Sequence, residues 1–286
     1  MRLLLILLLL LPQAAFAQIK VVASIKPLTL IIKEIGGDRI ILEQLIPDQA
    51  SHHDYPLKMS DHRRLHQADL VVWIGSDLES FLTRPLSNLS KEKILSLTDL
   101  SDIEWPEDNE DSHDHHHNRD PHLWLNPQNV IAIVKCLTKK MSALDQKNAA
   151  EFQNNAHKFI ASLEILDQKT EKELLPLHNQ GFAVYHHGYS HYVEHYGLKQ
   201  LGYLTLTPER KTGAKNLSQL LNLLKKEGKC IFAEPFVDDS QVLAIANKHQ
   251  LRVGYLDLMG IKSDNYQQLM QSITDSFLTC LSDGRR

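Results

Sequence analysis

Residues 141–176 contain no glycine, and their only proline is Pro176. Within this run Phe152, Ala156, Phe159, Ile160, Leu163 and Leu166 follow the i, i+4, i+7, i+8 spacing of a single apolar stripe. The spacing predicts one long helix. About 30 residues at this rise reach ~45 Å, a rigid strut rather than a flexible hinge. Short apolar runs alternate with helical patterns on both sides of it. Before it, "IKVVASI" reads as a strand, "PLTLIIKEIGG" as a helix with Pro near its start and Gly at its end, and "RIILEQLI" and "ADLVVWIG" as strands. "SDHRRLHQ" precedes the last of these, with Ser60 as the expected N-cap. After it come "GFAVYHH", a helix near 188–196, "KCIFAEP", a helix from 238 and "LRVGYLD". Such alternation is the signature of a mostly parallel sheet, so the chain is expected to form two α/β lobes joined by the helix. Its 286 residues are enough for a core in each.

The first seventeen residues are a separate unit. Met1-Arg2 is a positive start, Leu3 to Leu11 an apolar run, and Ala15-Phe16-Ala17 a small-x-small cleavage site. This pattern predicts a secretory signal peptide, too short to span a bilayer. No Cys follows the run, so a lipid anchor is not expected. Residues 18–140 are then the N-terminal lobe, with an acidic, histidine-rich loop at 107–120. Residues 141–176 are the linking helix and 177–286 the C-terminal lobe.

The formal net charge is −4, without the clustered basic excess of a nucleic-acid surface. Removal of residues 1–17, which carry one basic residue (Arg2) and no acidic one, leaves −5. Export makes a disulfide permissible. Cys136 lies in the helical pattern "VIAIVKCLTKKMSAL", whose apolar face it can fill, so the expected pair is Cys230 with Cys280, fastening the last helix.

In open α/β sheets ligands bind beyond the carboxyl ends of the strands. The polar residues that follow the strand signals are His52 and His53, His186 and His187, and Asp257, while His122 follows the acidic stretch in "PHLWL". All are metal-ligand types. Three imidazoles plus a carboxylate or water suit tetrahedral Zn2+, whereas Mg2+ and Ca2+ want mainly oxygen. Each histidine alone is as readily a hydrogen-bonded surface residue, and placement after strands does not decide between the two readings.

The segments "LIPDQASHHDYPLKMSDHRRLHQADLVVWIGSDLESF", "DPHLWLNP", "AVYHHGYSHYVEHYGL", "IFAEP" and "GYLDLMG", in this order, resemble the periplasmic zinc-binding components of ABC importers, the ZnuA type. The resemblance runs from about residue 19 to the C-terminus. It implies two Rossmann-like lobes with the metal between them, and His53, His122 and His186 as zinc ligands. Asp257 matches a carboxylate that ligates in manganese-binding relatives. Manganese receptors carry Glu at the place of His186, and the softer nitrogen favours zinc. Some zinc members have Glu where this chain has His52, so the resemblance assigns His52 no role. The fourth position is ranked Asp257, then water, then His52. Zinc is the transported ligand, the partners are a membrane permease and its ATPase, and the expected setting is the periplasm of a Gram-negative cell, with the protein a monomer.

His113, His115, His116 and His117 lie among Asp108, Asp111, Asp114 and Asp120, with no apolar residue from 107 to 120. Such a tract cannot bury itself, and His-rich tracts bind metal without fixed geometry. It is expected to be an accessory, weaker zinc-binding loop.

"HYVEH" (191–195) matches the inverted zinc-protease signature and raises the alternative of a secreted zinc hydrolase. No third ligand motif lies downstream, so the histidines are expected on an exposed helix face, and the protein is read as a non-enzyme. The other alternative is a manganese or iron receptor of the same family.

Overall fold

A computed structural model describes residues 18–107, 119–209, 213–235 and 237–282. The expected signal peptide and the histidines at 113 and 115–117 lie outside the described residues.

In the first half β1 (Ile19–Ala23), α1 (Lys26–Gly36), β2 (Ile40–Gln44), α2 (Met59–Gln67), β3 (Leu70–Trp73), α3 (Thr83–Leu86) and β4 (Ile94–Ser96) follow one another. α4 (Pro127–Leu144) and α5 (Ala149–Leu174) come next. The second half holds β5 (Gly181–His186), α6 (Ser190–His195), β6 (Gln200–Thr205), α7 (Ala214–Glu227), β7 (Gly228–Ala233), α8 (Ser240–His249), β8 (Arg252–Tyr255) and α9 (Tyr266–Leu281). The two four-stranded sheets have the orders β2-β1-β3-β4 and β6-β5-β7-β8, so the same winding occurs twice. Every pairing is parallel. The central strands β1 and β3 are buried nearly throughout, which accounts for their continuous apolar runs.

The long helix is present but starts later than the periodicity predicts. Residues 141–144 close α4, and the chain then turns at Asp145–Asn148. There the Asp145 carboxylate accepts the Asn148 backbone N–H at 3.2 Å and its side-chain amide at 2.6 Å. An aspartate-led turn without Gly or Pro leaves the helical pattern uninterrupted in sequence. The 26 residues of α5 bury Phe152, Ala156, Phe159, Leu163 and Leu166. They pack against α1, α4 and α9. α5 is therefore a wall of one core that runs through both lobes, rather than a free strut. A smaller core, with Leu204, Leu224, Ile231 and Ile245, fills the other face of the second sheet.

Two local expectations change. α2 begins one residue before Ser60, and its first turn is held by Asp61, whose carboxylate accepts the Lys58 N–H at 2.8 Å. β4 and β6 are strands that the pattern does not mark. β4 has three residues, and β6 is interrupted by Gly202 at φ +151°, where any side chain would be strained. Among the described residues no helix is long and apolar enough to cross a membrane.

Candidate metal centre

The loop between β2 and α2, residues 45–58, leaves the carboxyl edge of the first sheet. It carries a buried His52 and a half-buried His53. The Ser51 hydroxyl accepts the backbone N–H groups of His53 and Asp54, each at 3.1 Å, and fixes the turn. His122 stands just before the helical turn Leu123–Leu125 that leads into α4. His186 is the last residue of β5. These four residues meet: one ring nitrogen from each of His52, His53, His122 and His186 lies within 4.8 Å of the others. The Nε2 atoms of His122 and His52 are 3.4 Å apart.

Two carboxylates aim two of the rings. Asp120 Oδ1 accepts from His122 Nδ1 at 2.6 Å and from the His122 backbone N–H at 3.0 Å. Its other oxygen accepts the Ser190 N–H at 2.7 Å. Glu234, the first residue after β7, accepts from His186 Nδ1 at 2.5 Å and from the Tyr189 hydroxyl at 3.2 Å. With Nδ1 engaged, each ring presents Nε2 to the centre, the carboxylate–histidine arrangement that fixes tautomer and orientation at metal sites. The Nε2 atoms of His53 and His186 are buried and have no hydrogen-bond partner. Leaving such an atom unsatisfied costs about 1–3 kcal/mol, and an incoming cation would remove that cost.

Electrostatics agrees. Burial, reinforced by the neighbouring imidazoles, holds His52 well below the ordinary imidazole value and lowers His53 to about 2. Burial also lowers His122, against the pull of Asp120. Burial would lower His186 as well, but the adjacent Glu234 carboxylate outweighs it and raises that ring. Burial works to raise Asp120, but His122 overrides it and holds the carboxyl well below the usual range. Four imidazoles, two of them paired with carboxylates, therefore face a common centre, and only His186 is raised. Gly188 is part of the site as well. A Cβ there would sit 2.5 Å from His186 Nε2 and 3.0 Å from His122 Cε1.

Asp257 is not part of the group. Its carboxylate accepts the Ile261 backbone N–H at 2.8 Å and is committed to its own turn. It is His52, ranked last for the fourth position, that lies with the other three histidines. His187 turns away, its ring against Tyr203 and its Nε2 3.1 Å from Ser190 Oγ. The HYVEH histidines do not share a site, and the exposed face expected for them is corrected. His191 is only 2% exposed and lies between the Asp120 carbonyl (2.8 Å) and Asn129 (3.2 Å). His195 binds Asp167 on α5 at 2.7 Å, and Glu194 accepts the Glu107 N–H at 2.9 Å. All three are structural ties. Cys230 and Cys280 are joined in a disulfide between β7 and α9, with Cα atoms 6.1 Å apart, and Cys136 is free and half-buried.

Asp120, Glu234 and Gly188 are site residues that the sequence reading does not single out. Asp120 stands two positions before His122, a spacing that lets a carboxylate reach back to the ring. Glu234 follows a strand, which was a usable signal. Nothing local marks Gly188.

Contacts between the lobes surround the centre. Ser51 Oγ donates to Glu209 at 2.5 Å, Lys26 Nζ to the Ile261 carbonyl at 2.5 Å, and the buried Trp124 indole to the Leu258 carbonyl at 2.7 Å.

Fold and site together define a two-lobed α/β protein whose interlobe cleft carries an imidazole cluster suited to a borderline-soft cation. The family model of ZnuA, the periplasmic component A of the zinc-uptake complex, matches residues 21–280, and the chain belongs to this family. It is 30% identical to the high-affinity zinc uptake system protein ZnuA of Yersinia pestis, over 93% of this chain and 92% of that one. Its identity to the protein of that name from Haemophilus influenzae is 29%, over 96% of each. A crystal structure of ZnuA superposes with a TM-score of 0.80 at 24% identity, over 93% of this chain and all of that one.

Proposed function

We propose that this protein captures Zn2+ in the periplasm with high affinity and delivers it to an ABC-type zinc permease driven by an ATPase. His53, His122 and His186 are the zinc ligands, His52 is the fourth, and Asp257 is not required. The single observation that carries the reading is the convergence of four imidazole nitrogens within 4.8 Å. Four nitrogens with no carboxylate oxygen among them suit zinc better than manganese. Asp120 and Glu234 supply the negative charge that a buried divalent cation needs nearby. The ligand set is complete within one chain, which fits a monomer. Among the described residues the two carboxylates beside the cluster are bound to ring Nδ1 atoms rather than facing it. This supports a receptor without catalysis.

Zinc titration calorimetry on the mature protein tests the reading, beside a His186→Ala variant and a 113–117 deletion. The expected result is one tight site that survives the deletion and is lost in His186→Ala. A silent His186→Ala together with loss of binding on deletion would overturn it.

A further inference from the structure

A second set of imidazoles lies outside the four-histidine group. α2 turns Asp61 and Leu65 inward. Beside that buried edge the helix carries His62, half-buried, and His66, exposed. They stand four residues apart, so their side chains leave the same face one turn apart, with Cβ atoms about 5–6 Å from each other. Among the described residues neither ring has a hydrogen bond, an ion pair or a ring contact. Both are free to turn toward a common ion at the ~2.0–2.1 Å of a metal–imidazole bond. Met59, one turn earlier on the same stripe, is 77% exposed. The face Met59–His62–Arg63–His66 thus carries two imidazoles and a thioether, with the exposed Arg63 beside them.

Its neighbour on the inner side of the helix makes the contrast. Arg64 is fully engaged, with Nη1 on the Gln44 carbonyl at 2.8 Å and Nη2 on Asp61 at 2.5 Å. That anchoring fixes α2 on the sheet and leaves the histidine stripe on a rigid surface. The rigid helix holds the two Cβ atoms one turn apart, so chelation fixes only the two rings, and linking them in this way raises two weak ligands to a site.

We infer that His62 and His66 form a second, shallow transition-metal site on α2, with water completing the coordination, and that it takes Cu2+ more tightly than Zn2+. The metal preference follows from the affinity order of nitrogen ligands for divalent first-row ions. The site shares no ligand with the interlobe cluster and does not depend on that cluster binding zinc.

Equilibrium dialysis of the full mature chain against Zn2+, and separately against Cu2+, tests this, beside His62→Gln and His66→Gln. Gln is a good helix former, so neither change should disturb α2. Each replacement is expected to weaken one ion's binding by about a hundredfold, because two linked ligands become one. That site should bind Cu2+ more tightly than Zn2+. Amide signals of residues 59–67 should be broadened by Cu2+ in the parent and not in either variant. A parent-like ion count in both variants, or broadening confined to other parts of the chain, would overturn the site. His186→Ala should remove the tight ion and leave this one, which separates its failure from failure of the interlobe reading.

Discussion

His52, His53 and His122 come from the N-terminal lobe, and their surroundings keep all three easier to deprotonate than a free imidazole. The C-terminal lobe supplies one ring, His186, and pairs it with Glu234, which makes it harder to deprotonate. The two lobes wind their strands in the same order, so the difference lies in what stands at the strand ends. The N-terminal lobe presents neutral donors at no proton cost. Each lobe also brings one carboxylate, Asp120 on His122 and Glu234 on His186, but only in the C-terminal lobe does the carboxylate outweigh burial and raise its ring. Losing the single C-terminal ligand should cost more than losing one of three.

The largest expected effect follows directly. His186→Ala should weaken zinc binding by about 3–5 kcal/mol, the scale for stranding a buried charge without a partner. That is roughly a thousandfold by calorimetry. His52→Ala should cost less, and an equal loss in both variants would remove the asymmetry between the lobes.

Next in size is a covalent feature that, among the described residues, only the C-terminal lobe has. Cys230→Ser should lower unfolding stability by about 2–4 kcal/mol in chemical denaturation. Zinc affinity should be unchanged, because the bridge joins β7 to α9 away from the cluster. A matching loss of affinity would show that the disulfide also sets the position of Glu234.

Glu234→Gln and Asp120→Asn should each weaken zinc binding by about 10–100-fold, the usual penalty for loosening a ligating histidine. The first should also change the pH profile. Because Glu234 raises His186, that ring holds its proton to higher pH than a free imidazole. Zinc affinity should therefore fall as pH drops, beginning above the ordinary value of about 6.5. In Glu234→Gln the fall should begin at lower pH. Constant affinity down to about pH 5.5 would be inconsistent with His186 as a ligand whose proton is held above the ordinary imidazole range.

The smallest effects belong to the periphery. Glu209→Gln weakens the contact with Ser51 across the lobes, and an exposed polar tie of this kind contributes about 1 kcal/mol or less. It should raise the zinc dissociation rate in stopped-flow exchange without changing the number of bound ions. Deletion of 113–117 should leave the tight site intact.

Much of the fold was legible because periodicity reports burial. β1 and β3 read as strands since both faces are covered, and α5 read as a helix since one stripe meets α1, α4 and α9. The turn at 145–148 was not legible, because an aspartate side chain ends a helix without breaking its apolar spacing. β6 was missed because Gly202 interrupts its pattern. HYVEH shows the opposite failure. Its spacing suits a metal, yet the fold spends His191 on the Asp120 carbonyl and His195 on Asp167.

From the sequence alone came two parallel α/β halves, a long intervening helix, and His53, His122 and His186 as residues of the right type after strands or motifs. Local spacing is enough for the strands and helices, because a strand's end and a helix's face are short-range properties, whereas the choice of these three histidines rested on the resemblance to the zinc-binding family. Only the tertiary structure put His52 rather than Asp257 into the cluster, gave Asp120 and Glu234 their orienting roles, and required a glycine at 188. Those outcomes depend on distances of a few ångströms between residues up to 134 positions apart, from His52 to His186. Such distances exist only once two sheets have been packed against one core.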